Sequence, residues 1–310
     1  MLDAGNGFKQ TRRIQLKEKA IQEESTITAE RATERESATG QERAKSGKGT
    51  KGVERSGAPS GAPLTKVEAR FLVDSFYTIQ DYRKTAANQL RAATPENEQP
   101  SEILKGFLAE YEGLEHRMQR ELERFAKSSE IGRWALSVCG IGPIITAGLL
   151  AEIDIAKAPT VGHVWAFAGL APGVEWKKGE KRPWNARLKT LCWKASDSFV
   201  KVSNRESDIY GKVYRQRKEL EQERNERGEF AEQARHKLET TKIGKDTEAW
   251  KWYSIGKLPP AHIDMRARRY AVKLFLAHMH EVWYRLEVGA PPLPYPIAFQ
   301  GHAHKKDPPQ

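Results

Sequence analysis

The residues best suited to chemistry or binding are Cys139-Gly140-Ile141-Gly142-Pro143, followed by an apolar run to Ile153. Proline fits a first helical position, because its fixed φ suits the helix and its missing N–H has no partner there anyway. Glycine lets the backbone take positive φ and approach another chain without a Cβ in the way. A turn built this way aims free N–H groups outward at the positive end of a helix dipole, where a phosphate binds readily. Gly140, Ile141 and Gly142 are therefore the first candidate contacts to duplex DNA. The competing reading is a turn that only joins two packed helices.

A second constellation lies downstream. Lys177, Lys178, Lys181 and Arg182 crowd one loop, with Arg187, Lys189 and Lys194 on the helix behind it and Trp176 and Trp184 interleaved. Cations neutralise phosphates, while an exposed indole stacks on a base or wedges a step. Against this stands a loop of core tryptophans and solvated charges. Arg266, Arg268, Arg269 and Lys273 form another basic strip, for which nucleic-acid contact and simple solvation both stay open.

The residues that suggest metal binding do not assemble into a site, so no metal or cofactor is expected. Glu152 and Asp154 are two apart on a helix and point to different faces, which favours a helix-end role. Glu175 and Glu180 flank the basic loop and tune its charge. His278 and His280 project roughly 200° apart on a helix, and His302 and His304 have no Cys or carboxylate cluster beside them. Cys139 and Cys192 read as small buried side chains in a reducing compartment.

The charge supports a polyanionic partner. The net charge is +11 over 310 residues, and +9 of it falls in 129–310, the part that contains the glycine turn. A positive surface attracts nucleic acid at long range. Nothing resembles a signal peptide, and the run from Ile141 to Ile153 is too short to span a bilayer. The reading is cytoplasmic and nucleoid-associated, with no membrane partner.

These residues must be positioned by helices, since no alternating β pattern of any length occurs. The expected fold is all-α: a disordered N-terminal arm, a helical hairpin or coiled coil, then a compact helix-hairpin-helix domain with long C-terminal helices. Residues 1–63 have few large apolar side chains and form the polar arm. Residues 65–128 give two helices. The first opens at the capping box Thr65-Lys66-Val67-Glu68. The second opens at Ser101 and carries the seam Leu104, Phe107, Tyr111, Leu114, Met118, Leu122 and Phe125. An antiparallel pairing within the chain is the default, and homodimerisation through 101–128 is the alternative. Residues 130–200 hold the compact unit, with helices Ile131–Val138, Pro143–Ile153, Val161–Ala168 and Arg187 to Ser203. Residues 201–290 complete it with an exposed charged helix from Ile209 to Glu239 and an amphipathic helix from Met265 to Leu286. Residues 291–310 form an extended tail.

Gly140-Ile141-Gly142-Pro143, Ala147 and Leu149-Leu150-Ala151-Glu152-Ile153 resemble the C-terminal domain of a group of bacterial insertion-sequence transposases. The likeness continues through Trp165-Ala166-Phe167-Ala168-Gly169-Leu170-Ala171-Pro172 and Asn185-Ala186-Arg187-Leu188-Lys189, and more loosely from Arg268 to Tyr284. The resemblance implies DNA transposition and recombination, in enzymes that carry a RuvC-like nuclease and are guided by a bridge RNA. Two departures accompany it. No strand–helix alternation that would mark the nuclease domain occurs in residues 1–128. The family's serine before glycine, about five residues beyond the proline, corresponds here to Lys177, Lys178 and Gly179, and Ser196, Ser198 and Ser203 lie too far downstream. Its catalytic residues are thus unknown. The expected protein binds duplex DNA without cutting it, beside a nuclease-domain partner or as a non-catalytic derivative. An active transposase with unrecognised catalytic residues, and an RNA-binding or scaffold protein whose partner is structured RNA, stay open.

Overall fold

A computed structural model describes residues 63–93, 101–174, 176–177, 179–293 and 305–309. The expected arm up to residue 62 lies outside them, as do Glu175, Lys178, His302 and His304. The described residues form ten α-helices and no strand.

Helix α1 (Lys66–Ala93) starts where the capping box placed it. Thr65 donates its N–H and its hydroxyl to Glu68 Oε2, both at 2.8 Å, and these bonds hold the Glu68 carboxyl below its ordinary pKa. Helix α2 (Glu102–Lys127) runs back along α1, with Tyr82 beside Tyr111 and Gln80 Nε2 donating to Glu115 at 3.1 Å. The seam therefore closes within the chain. Leu122 is fully buried, but Leu104 and Phe107 at the far end are exposed, so only the C-terminal half of α2 meets the core.

Helices α3 (Glu130–Ser137) and α4 (Pro143–Glu152) flank the glycine turn. Ala147, Leu149, Leu150 and Ala151 are all buried, and a helix apolar all round must be central. It packs on α1, α2, α3 and α6 (Ala186–Val202). A 3₁₀ turn (Ile155–Lys157) and α5 (Val161–Phe167) bring the chain toward the last helix, α10 (Pro260–Glu287). Phe199 of α6, Phe275 of α10 and Tyr210 of α7 (Tyr210–Glu226) meet with ring centroids 5.0–5.5 Å apart. One core runs from Ala69 on α1 to Trp283 on α10, so residues 65–128 and 130–200 share it.

The charged stretch after Ile209 differs from expectation. It is not one exposed helix but α7 and α8 (Ala231–Thr240), parted where Gly228 takes φ +76°. Helix α7 packs along α10. Its burial was hidden because its buried residues, beside the one aliphatic Val213, include Tyr210, Tyr214 and polar groups such as the ion-paired Glu221. A smaller core of Phe230, Ala234, Tyr253, Leu258 and Ile263 joins α8 and α9 (Glu248–Ser254) to the start of α10. Helix α10 also begins earlier than its apolar face suggested. Tyr270 and Leu286 are exposed and Val272, Leu276 and His280 are buried, because other helices pack on more than one of its faces.

The last described residues are not a free tail. Trp134 Nε1 donates to Pro309 O at 3.0 Å, and His278 Nε2 donates to Lys306 O at 2.9 Å. Tyr210 OH donates to His278 Nδ1 at 2.8 Å, while His280 Nε2 donates to Ala158 O at 2.7 Å. The two histidines diverge as the helical spacing requires, and no metal-binding cluster occurs among the described residues. No described helix is long and apolar enough to cross a membrane.

Candidate nucleic-acid interface

The glycine turn divides into a packed half and an open half. Ile141 is 4% exposed and gives its N–H to Val138 O at 3.0 Å. Gly140 takes φ +91°, its carbonyl accepts from Ser198 Oγ, and an added Cβ would lie 3.0 Å from Val202. These contacts pack Gly140 and Ile141 against neighbouring helices. Gly142 is different. Its backbone is extended, and a Cβ there would meet nothing within 4 Å. The N–H groups of Gly142, Ile144 and Ile145 find no acceptor among the described residues. The amides without an acceptor among the described residues are those of Gly142 and the first turn of α4, together with that of Gly140.

Gly140, Ile141, Gly142, Ile144 and Ile145 all line an open groove of about 660 Å³. Tyr77 and Gln80 of α1 form one wall, and Ser198, Arg205 and Ser207 form another. Arg205 is exposed, and its guanidinium has no ion partner among the described residues. Burial pushes the Tyr77 hydroxyl up to about 12, so it stays protonated. Sequence reasoning missed Tyr77, Gln80, Arg205 and Ser207, which only the packing of α1 and α6 brings to the turn.

The basic loop lies at the other end of α6. Gly140 packs on Ser198 and Val202 near the C-terminus of α6, whereas Asn185 caps its N-terminus. Thirteen helical residues separate Asn185 from Ser198, about 20 Å at 1.5 Å per residue. The expected contacts thus form two patches rather than one. Asn185 is the anchor of the second: its backbone N–H reaches Phe167 O at 2.8 Å and its side chain accepts from Leu188 N at 3.0 Å. Its Nδ2 donates to the buried Glu152 at 2.6 Å, and Arg70 Nε lies 3.7 Å from the same carboxylate. Asp154 turns away to Lys157. Glu152 therefore holds the loop in place.

Within the loop, Trp184 is wedged. An added Cβ on Gly169 would lie 2.8 Å from its ring, and Lys189 Nζ lies 4.1 Å from the ring centre. Trp176 meets Trp184 edge-on at 6.2 Å, gives its N–H to Glu180 O at 2.8 Å, and carries the Arg182 guanidinium at 5.3 Å. The indoles brace cations: Trp184 is contacted on both sides, and Arg182 lies over one face of Trp176. Lys177 and Lys181 are exposed, and Arg187, also exposed, is ion-paired to Asp74 of α1 at 2.9 Å. Partial burial lowers the Lys189 pKa, helped by the nearby charges of Arg269 and Arg182. Lys177, where the resemblance led to a serine, gives its N–H to Glu180 at 3.1 Å, and its ammonium has no ion partner among the described residues. Ser196 donates to Trp193 O and Ser198 to Gly140 O, so these two are tied into the helix packing.

No match is found among curated proteins. Residues 119–207, from the end of α2 through the glycine turn, the basic loop and α6, match the model of the Transposase IS116/IS110/IS902 family, and this part of the chain is a domain of that family.

Proposed function

We propose that the chain holds duplex DNA by its backbone during transposition and does not itself cut it, the strand chemistry belonging to a nuclease-bearing partner. The family domain implies transposition-related DNA binding. The observation that carries the finer reading is the groove at Gly142. Three amides at the positive end of α4 and Arg205, none with a bonding or ion partner among the described residues, share it with the Ser207 hydroxyl. That is a donor set for a phosphodiester and makes no demand on base identity. The 177–189 loop supplies a second positive patch at the far end of α6.

Gly142→Glu tests the reading. Its backbone suits any residue and a side chain has room, so the variant folds while setting a carboxylate before the amides. Duplex affinity measured by anisotropy should fall about tenfold, since a phosphate contact gives way to repulsion. Unchanged affinity would remove the groove from the interface. Cleavage or joining of DNA by the purified chain with magnesium would overturn the non-cutting role, and a preference for structured RNA over duplex DNA would overturn the choice of partner.

A further inference from the structure

We infer that the DNA-holding surface extends beyond the family-matched segment onto α10, where Arg269 and Lys273 join Arg182 and Lys189, four cations with no ion partner among the described residues, in one track for a duplex phosphodiester backbone. The inference rests on the DNA-binding reading above and adds to it a helix about sixty residues beyond the matched segment in sequence.

Geometry links the cations through indoles. Arg182 lies on Trp176, which meets Trp184 edge-on, and Trp184 carries Lys189 on its face. Trp184 rests against Gly169, just past the end of α5. From the same helix, Trp165 gives its N–H to Lys273 O at 3.1 Å and carries Lys273 Nζ 4.1 Å from its ring centre. Arg269 lies one turn before Lys273 on α10 and is exposed. It has no ion partner among the described residues. Burial and the charge of Arg269 lower the Lys273 pKa, and Arg269 also bears on Lys189. Like charges gathered without a counter-charge destabilise one another until an anion arrives.

The same contacts favour a duplex over an unpaired strand. Trp184 has glycine on one side and a lysine on the other, and the N–H groups of Trp165 and Trp176 are held by backbone carbonyls. With Trp184 contacted on both sides and a cation over Trp165 and over Trp176, this surface offers charge to a backbone before it offers stacking platforms to splayed bases.

The test measures affinity of the full chain for a labelled duplex over a range of salt, for wild type, Gly142→Glu and the double variant Arg269→Ala/Lys273→Ala. Lys242→Ala/Lys245→Ala, at exposed cations between α8 and α9, is the control for net charge. The α10 variant should bind at least about tenfold more weakly at 0.1 M salt and lower the slope of log K against log salt by about 1.8, some 0.9 for each phosphate no longer neutralised. The control should leave both unchanged, and melting curves confirm that each variant folds. Wild type that binds duplex and loses affinity with Gly142→Glu, but not with the α10 pair, would overturn this inference alone. An equal effect of the control would also overturn it, reducing the track to bulk charge. Wild type that does not bind duplex, or binds a single strand or structured RNA more tightly, would overturn the function reading and this inference with it.

Discussion

Four cations within about two turns of α10 have opposite fates. Arg266 Nε donates to Glu221 at 2.7 Å, and Glu221 is wholly buried and also takes Arg217. Arg268 binds Asp264 at 2.6 Å and Asp197 at 3.1 Å. Arg269, the next residue, and Lys273, which lies over Trp165 of α5, have no carboxylate partner among the described residues. The first pair holds α10 to α6 and α7 and belongs to the fold. The second pair is free to meet a partner. Net charge alone cannot separate these roles, because what distinguishes them is whether a neighbouring helix supplies an acid.

The largest effect expected from this contrast is on stability. Glu221→Ala strands buried guanidinium charge and should cost about 3 kcal/mol in denaturant unfolding, the low end for a broken buried pair because the arginines reach solvent. Arg269→Ala should change stability by less than about 0.5 kcal/mol. A similar loss from both would erase the distinction. The two glycines of the turn sharpen the same division between packed and open. Gly140→Ala meets positive φ and Val202 and should cost about 1–2 kcal/mol. Gly142→Ala, with extended backbone and open space, should fall within about 0.5 kcal/mol.

Much of this architecture was legible in local sequence. The Thr65–Glu68 capping box and Pro143 at a helix start fix element boundaries through chemistry only a few residues long. The transposase likeness in 130–200 falls inside the matched domain. What escaped depends on rotation and packing between helices far apart in sequence. Gly140, Ile141 and Gly142 look alike as a motif and line one groove, yet α6 packs against Gly140 while a Cβ on Gly142 would meet nothing. Arg205 reaches the groove only because α6 ends beside the turn. Glu221 reads as one more solvated charge until α10 brings Arg266 against it.

A smaller effect follows pH. Burial lowers the pKa of His262, His278 and His280 below the ordinary 6.5, so the fold holds them neutral. Their stabilising contribution is complete above pH 6.5 and is lost as pH falls through their depressed values. Asp264 is desolvated, which alone would raise its pKa, but hydrogen bonds from Tyr214, Lys218 and Arg268 bring the carboxyl down to about 2. Its contribution persists above 3.8 and disappears only as pH falls through about 2. Melting temperature should therefore begin to drop just below pH 6.5. The His278→Gln variant, which keeps a hydrogen-bonding side chain near Lys306 and Tyr210, should flatten that first drop. An identical pH profile in the variant would show that His278 is not among the responsible groups.

The central claim is that unpaired cations and unbonded amides on this surface grip a duplex by its phosphates. The most direct measurement is the salt dependence of wild-type affinity for two duplexes of unrelated sequence. Contacts from Arg182, Lys189, Arg205, Arg269 and Lys273 predict a slope of log K against log salt of about −4.5, the same for both duplexes. A slope flatter than about −1, or an affinity that depends on base sequence and hardly on salt, would contradict it.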